Sequence, residues 1–296
     1  MKLVTFSDST GARLGALSAD GQSVIDLAAS GLPKNMTSFI AMGDEGLKTA
    51  AAALESGENA LPVSGVTLLA PIPRPVRNVF CVGKNYYEHS KEFHNSGFDA
   101  SAGKNAIPDV PIFFTKPPSS VIGPGVPIPA YLDTSHATDY EGELAVVIGT
   151  GGRGISKEDT FDHVYGYTIV NDVTARHLQG LHRQWFIGKS LDGYCPMGPT
   201  LVTADDVPDV GKLRLVTRVN GDVRQDALIS DLIFDIPTLI ETASAGITLE
   251  PGDIIATGTP AGVGIGFDPP VYLKSGDRVS ITIEPIGELS NTVDAG

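Results

Sequence analysis

The chain has 296 residues, with 35 acidic against 21 basic side chains and a formal net charge of −14. That excess acidity argues against nucleic acid or an anionic membrane surface as the main partner, and 42% hydrophobic with 19% charged residues excludes disorder. Two cysteines exclude a disulfide framework in a chain this long. No apolar run approaches the roughly 20 residues of a membrane span. The first residues alternate apolar and polar rather than forming an apolar leader, so a soluble cytoplasmic protein is expected. Thirty-four glycines and 21 prolines point to a mainly β chain with many turns.

In chain order, residues 3–6, 13–17 and 24–27 read as a meander, with turns at 7–11 and at Asp20-Gly21. Helices are expected over 36–42 and 45–54, the second carrying an alanine run. The proline-rich stretch 62–75 marks a boundary, which separates a small N-terminal α+β domain (1–69) from a main domain (70–296). Strand patterns then follow at 78–82, 112–115, 142–148, 167–170, 214–219, 254–257 and 278–284. Short helices are expected between them at 87–93, 157–164, 172–181 and 236–245. Antiparallel sheet or a barrel fits this order better than regular β–α alternation. Residues 94–110 have no periodicity and read as a long mobile loop.

Four segments carry candidate chemistry. In Asp139-Tyr-Glu-Gly-Glu-Leu-Ala, Glu141 and Glu143 are i and i+2 and point to one face of a strand. Two such charges repel unless a cation lies between them or one is protonated; the alternative is a solvated edge before the strand enters the core. Asp172 ends another apolar run and either caps the following helix or adds a third carboxylate. Three carboxylates without a His/Cys cluster suit Mg²⁺ or Mn²⁺ rather than zinc. His89 and Glu92, one helical turn apart, form either a surface pair or an oriented general base beside the long loop.

Arg176 and Gln179 share a helical face after Asp172, and Lys189 lies in a glycine-bounded loop where it could neutralise an enolate or a carboxylate. The glycine-rich run 257–266 offers backbone N–H groups to an anion, or else makes a tight turn. Gly149–Gly154 matches the G-x-G-x-x-G pattern, but the best helix start is Ser156, so the glycines precede the helix instead of opening it. Neither cysteine has an activating neighbour in the sequence, and both read as small buried residues.

At these residues the sequence resembles the fumarylacetoacetate hydrolase family, over about residues 71–291 and in several ordered blocks. The resemblance implies a mixed β-roll or barrel-like fold and a homodimer. It implies Glu141, Glu143 and Asp172 as ligands of one Mg²⁺ or Mn²⁺, with Arg176, Lys189 and Thr259 contacting substrate. His89, Glu92, Gln179 and Lys189 would be catalytic, the first two on a lid helix. Residues 94–110 depart from the shorter segment of many small members. The implied substrate is a small 2-oxo or diketo acid, and the first expectation is hydrolysis of a 2,4-dioxo acid to pyruvate and a carboxylic acid. Oxaloacetate decarboxylation or tautomerisation, or isomerisation of a hydroxymuconate-type diacid, would use the same residues; a nicotinamide-dependent oxidoreductase is the reading of another class.

Overall fold

The structure, a computed structural model, describes residues 1–95 and 106–296. Among these residues it is mainly β, built on a twelve-stranded sheet, a five-stranded sheet and one two-stranded ribbon, and the two large sheets are open rather than closed into a barrel. Its helices are short: α1 (Met36–Ile40), α2 (Asp44–Ser56), α3 (Tyr87–Asn95), α4 (Arg176–Leu181), α5 (Phe186–Lys189) and α6 (Ile236–Ser244). Among the described residues no helix is long and apolar enough to cross a membrane.

The large sheet begins with the expected N-terminal meander, Lys2–Asp8, Gly11–Leu17 and Ser23–Asp26. Lys2–Asp8 pairs antiparallel with Cys195–Thr203, so the first strands extend the sheet that carries the centre of the molecule. That centre runs in the order Cys195–Thr203, Val164–Asn171, Gly142–Ile148, Ile254–Ala256, Val79–Gly83 and Ile112–Lys116. Gly142–Ile148 and Val164–Asn171 are buried at every position. Both faces are covered, which is why they read as unbroken apolar runs. Leu144, Val146 and Ile148 pack into one core with Leu215, Ile281 and Leu289 of the second sheet. Ala145 and Val147 face the opposite core, with Phe39 and Ile40 of α1.

Strand register decides where the chemistry collects. Gly142 pairs with Asn171, and Ile254–Ala256 runs parallel to Val79–Gly83 and antiparallel to Gly142–Ile148. The C-terminal ends of Val164–Asn171, Val79–Gly83 and Ile254–Ala256 therefore meet the N-terminal end of Gly142–Ile148 at one rim.

Several expectations are corrected. Residues 157–164 form no α-helix; they hold a 3₁₀ turn, Thr160–His163, and the strand then starts at Val164. No helix opens behind the 149–154 glycines, where Gly152 instead bridges to Leu249, so the dinucleotide pattern lacks its structural context. The helix expected over 172–181 starts at Arg176, because the Asp172 N–H goes to the Glu141 carbonyl (2.8 Å) and Thr174–Ala175 pairs with Thr138–Asp139. Strand Cys195–Thr203 was missed because Pro196, Gly198 and Pro199 break its pattern. Helix α3 continues to Asn95, and the middle of the loop expected over 94–110, residues 96–105, lies outside the described residues.

Candidate metal centre and active site

Glu141 and Asp172 are stitched together by backbone. The Asp172 N–H donates to the Glu141 carbonyl, and the Glu141 N–H donates to Asn171 Oδ1 at 3.0 Å. This brings one carboxylate oxygen each of Glu141, Glu143 and Asp172 within 4.8 Å of one another, all three side chains being buried. Asp172 is thus no helix cap, and the glutamate pair is no solvated edge.

Three buried cations surround the cluster. Lys189 Nζ donates to Glu141 Oε2 (2.8 Å) and Asp172 Oδ2 (2.7 Å). Arg176 donates to Glu141 Oε1 (2.6 Å) and, through Nε, to Asp139 Oδ2 (2.8 Å), and Gln179 Oε1 accepts from its Nη1 at 3.2 Å. Lys116, fully buried, donates to Asp172 Oδ1 (2.7 Å) and to the carbonyls of Val173 (3.0 Å) and Lys189. Sequence reasoning missed Lys116 and Asp139. The available signal for Lys116 was a lysine closing the apolar run Ile112-Phe-Phe-Thr before Pro117. Asp139 accepts from the N–H groups of Gly264 (2.7 Å) and Ile265 (2.9 Å) as well as from Arg176, so it ties that arginine to the glycine-rich loop.

Four buried carboxylates, Asp139, Glu141, Glu143 and Asp172, thus cluster with Lys189, Arg176 and Lys116, and Lys84, also buried, lines the cavity beside them. Against the upward push of burial, Lys189 and then Arg176 hold Glu141 below the usual carboxylate range. Glu143 behaves oppositely. Burial, then the charges of Asp172 and Glu141, push it well above that range. Its carboxylate accepts from the Gly258 N–H at 2.9 Å, while the hydrogen bonds of the three cations go to its neighbours. Such a donor set, all oxygen and buried, fits a hard divalent cation.

The glycine-rich loop does supply N–H groups to anions, but the anions are the protein's own carboxylates. Gly258 serves Glu143, Gly262 serves Glu92 (3.1 Å), and Gly264 and Ile265 serve Asp139. Helix α3 follows Asn85, whose side chain clamps the carbonyls of Thr257 and Phe234 and accepts from the Phe234 N–H. Glu92 Oε2 lies 3.2 Å from His89 Nδ1, so the pair forms and points inward, with His89 buried. Thr259 reaches the cavity, but its hydroxyl donates to the Gly142 carbonyl (2.9 Å) and accepts from Gln225 (2.7 Å). One cavity of about 20 Å³ is lined by His89, Glu141, Glu143, Arg176, Gln179, Lys189 and Thr259, so every residue singled out in the sequence except Asp172 and Glu92 meets it directly. Burial raises both thiols, Cys195 to about 12, which keeps them protonated and out of the chemistry.

Known proteins are similar to this chain over most or all of its length. Over 239 residues the chain is 54% identical to oxaloacetate tautomerase YisK of Bacillus subtilis (strain 168), covering 81% of this chain and 77% of that protein. It is 42% identical over 299 residues to the mitochondrial oxaloacetate tautomerase fahd2 of Xenopus laevis, covering 99% and 90%. Among solved structures, a fumarylacetoacetate hydrolase from psychrophilic Exiguobacterium antarcticum superposes with a TM-score of 0.84 at 42% identity, covering 100% of both chains. A maleylpyruvate hydrolase from Sphingobium sp. SYK-6, solved with manganese(II) and pyruvate, gives 0.78 at 35% identity, covering 99% and 98%. Residues 78–294, which contain every group around the cavity, match the Fumarylacetoacetate (FAA) hydrolase C-terminal family, and the chain therefore belongs to the fumarylacetoacetate hydrolase family.

Proposed function

We propose that this chain is a divalent-metal-dependent oxaloacetate tautomerase, moving a proton between C3 and the 2-oxo oxygen of a small 2-oxo diacid. The observation that carries the reading is His89, held by Glu92, lining one cavity with Glu141 and Glu143 of the buried carboxylate cluster. Relatives named as oxaloacetate tautomerases, at 54% and 42% identity, support tautomerisation over the hydrolysis first expected from the sequence. All the residues involved fall within 70–296, the part proposed to carry catalysis.

Glu141, Glu143 and Asp172 would hold Mg²⁺ or Mn²⁺, which when bound polarises the 2-oxo group and offers a template for the neighbouring carboxylate. With Nδ1 engaged by Glu92, Nε2 of His89 is the nitrogen that takes the C3 proton. The C–H electron pair becomes the C2=C3 bond, and the carbonyl pair moves onto the 2-oxygen. Glu92 keeps the ring oriented and stabilises the imidazolium. Lys189 places a buried ammonium beside the cluster, where it stabilises negative charge on the 2-oxygen. Gln179, its carbonyl oxygen turned to Arg176, has its amide N–H groups to donate to the substrate. Proton return to the 2-oxygen completes the enol, and the same groups run the reverse direction.

A second reading, C–C hydrolysis of an acylpyruvate by water activated at His89, is favoured by the neighbour solved with manganese(II) and pyruvate. One experiment separates the two. Oxaloacetate enol is followed by ultraviolet absorbance and pyruvate by a coupled assay, with Mg²⁺, with Mn²⁺ and after chelation, beside a set of acylpyruvates. Accelerated keto–enol exchange that chelation abolishes, without pyruvate from acylpyruvates, is the expected result. Pyruvate released from an acylpyruvate, with oxaloacetate exchange no faster than in buffer, would replace tautomerase by hydrolase.

A further inference from the structure

Trp185 is the single tryptophan of the chain and sits between α4 and α5 with φ +67° and ψ −22°. A bulky side chain holds that left-handed backbone only when its surroundings impose it. The ring is buried, edge-on to Phe93 of α3 (centroids 5.8 Å apart) and to Phe114 (5.6 Å). It lies over Gly83, where even a Cβ would come within 2.5 Å of it. Its indole Nε1 is buried with no hydrogen-bond partner among the described residues, a group whose desolvation is uncompensated. Its carbonyl accepts the Lys189 N–H at 3.1 Å, which joins the tryptophan to the α5 lysine of the carboxylate cluster.

The ring has a cavity on each side. Inward, it closes the 20 Å³ site cavity together with His89 and Lys189. Outward, with Phe113, Arg183 and Phe186, it lines a surface groove of about 480 Å³. The inner cavity admits little more than one water, whereas oxaloacetate is a four-carbon diacid, so a wall must move for it to enter. Trp185 is the wall that combines an imposed backbone conformation, an unpaired polar atom and open space behind it.

We propose that Trp185 is the movable wall of the site and sets the length of the 2-oxo diacid it accepts, turning toward the outer groove as substrate enters. Trp185 and Phe114 line both spaces, so trimming the indole enlarges the inner one toward the groove, where Arg183 is placed to meet the distal carboxylate of a longer diacid. The identity of the ligand rests on the tautomerase reading; the mobility of the wall does not, because any 2-oxo acid, down to pyruvate with its six heavy atoms, exceeds a cavity of about 20 Å³.

Because Trp185 is the sole tryptophan, its emission reports on the wall directly. The Mg²⁺-loaded protein is titrated with oxalate while calorimetry records binding, and a shift in emission maximum that saturates with binding is expected. Oxalate binding without any change in emission overturns the movable wall. Deuterium exchange at C3, read by NMR, is then compared for oxaloacetate and 2-oxoadipate in the wild type, W185F and W185A. The ratio favouring the longer acid should rise about tenfold or more in W185A and stay near the wild-type value in W185F. An unchanged ratio in W185A, or in W185L if circular dichroism shows W185A unfolded, overturns the length-setting role. Wild-type protein that binds oxalate with an emission shift but exchanges neither acid would sink the tautomerase reading and leave the wall standing. Neither binding nor exchange would overturn both.

Discussion

Glu143 puts the metal reading to a quantitative test, because the carboxylate that would bind the cation costs the protein stability without it. Its ligand oxygen lies within 4.8 Å of those of Glu141 and Asp172. Two like charges at that distance repel by about 3.5 kcal/mol at an effective dielectric of 20, and Lys189 offsets part of this. Burial and these two neighbours raise the Glu143 pKa above the ordinary value of 4.5. A raised folded-state pKa means that the stabilisation is complete below the unfolded-state value and is lost as pH climbs toward the folded-state one. The loss is at most about 1.4 kcal/mol per pH unit. Glu143→Gln keeps the shape and removes the titration. After chelation, variant and wild type should melt together at acid pH, and the wild type should fall below the variant as pH rises above 4.5. Each kcal/mol of deficit lowers Tm by about 2–4 °C in a chain near this size. Mg²⁺ at a hundred times its Kd reverses the order, adding about 2.7 kcal/mol to the wild type and little to the variant. Scanning calorimetry with and without chelator reads all of this. A chelated variant less stable than wild type at every pH would refute the repulsion argument, and equal Mg²⁺ stabilisation of both would remove Glu143 from the ligand set.

His89→Asn should slow C3 proton exchange about 10²- to 10⁴-fold while Mg²⁺ still raises Tm as in the wild type; exchange at the wild-type rate would exclude His89 as the base. Lys116→Met leaves Asp172 Oδ1 without its buried partner and should cost about 3–5 kcal/mol in urea denaturation. A loss below about 1 kcal/mol would mean that Lys189 alone balances Asp172. At Gly266 a Cβ would fall 1.8 Å from Glu92 Oε1, so Gly266→Ala must displace either the glutamate or the loop. Turnover should drop about tenfold or more with Mg²⁺ affinity by calorimetry unchanged; unaltered turnover would show that Glu92 does not orient His89.

Local periodicity made part of this molecule legible and concealed the rest. Gly142–Ile148 was read with its observed bounds, because a strand covered on both faces must be apolar throughout. Asp222–Leu228 escaped notice because most of its positions are exposed or half-buried and its sequence, DVRQDAL, has no clean alternation. At the site, the i, i+3 spacing of His89 and Glu92 is set by backbone geometry within helix α3, so the sequence could place that pair. Glu141 lies one residue before strand Gly142–Ile148 rather than in it, and its place beside Asp172 is fixed by the backbone bond between them.

Pairings across the sheet were not available in that way. Lys116 meets Asp172 from 56 positions away, and Arg176 meets Asp139 from 37. Neither partner is marked by spacing, since which strands become neighbours is decided by the packing of the whole chain. The same holds for the glycine-rich loop, whose N–H groups are aimed at Glu92, Glu143 and Asp139. By itself the sequence determined a mainly β chain, three carboxylates suited to a hard cation and a histidine–glutamate pair. Only the tertiary structure decided that Glu141, Glu143 and His89 line one cavity with Lys189 and Arg176, with Asp172, Lys116 and Glu92 bonded directly behind them. Charge balance and desolvation depend on which groups share a buried volume, and that is a property of topology rather than of any local run of residues.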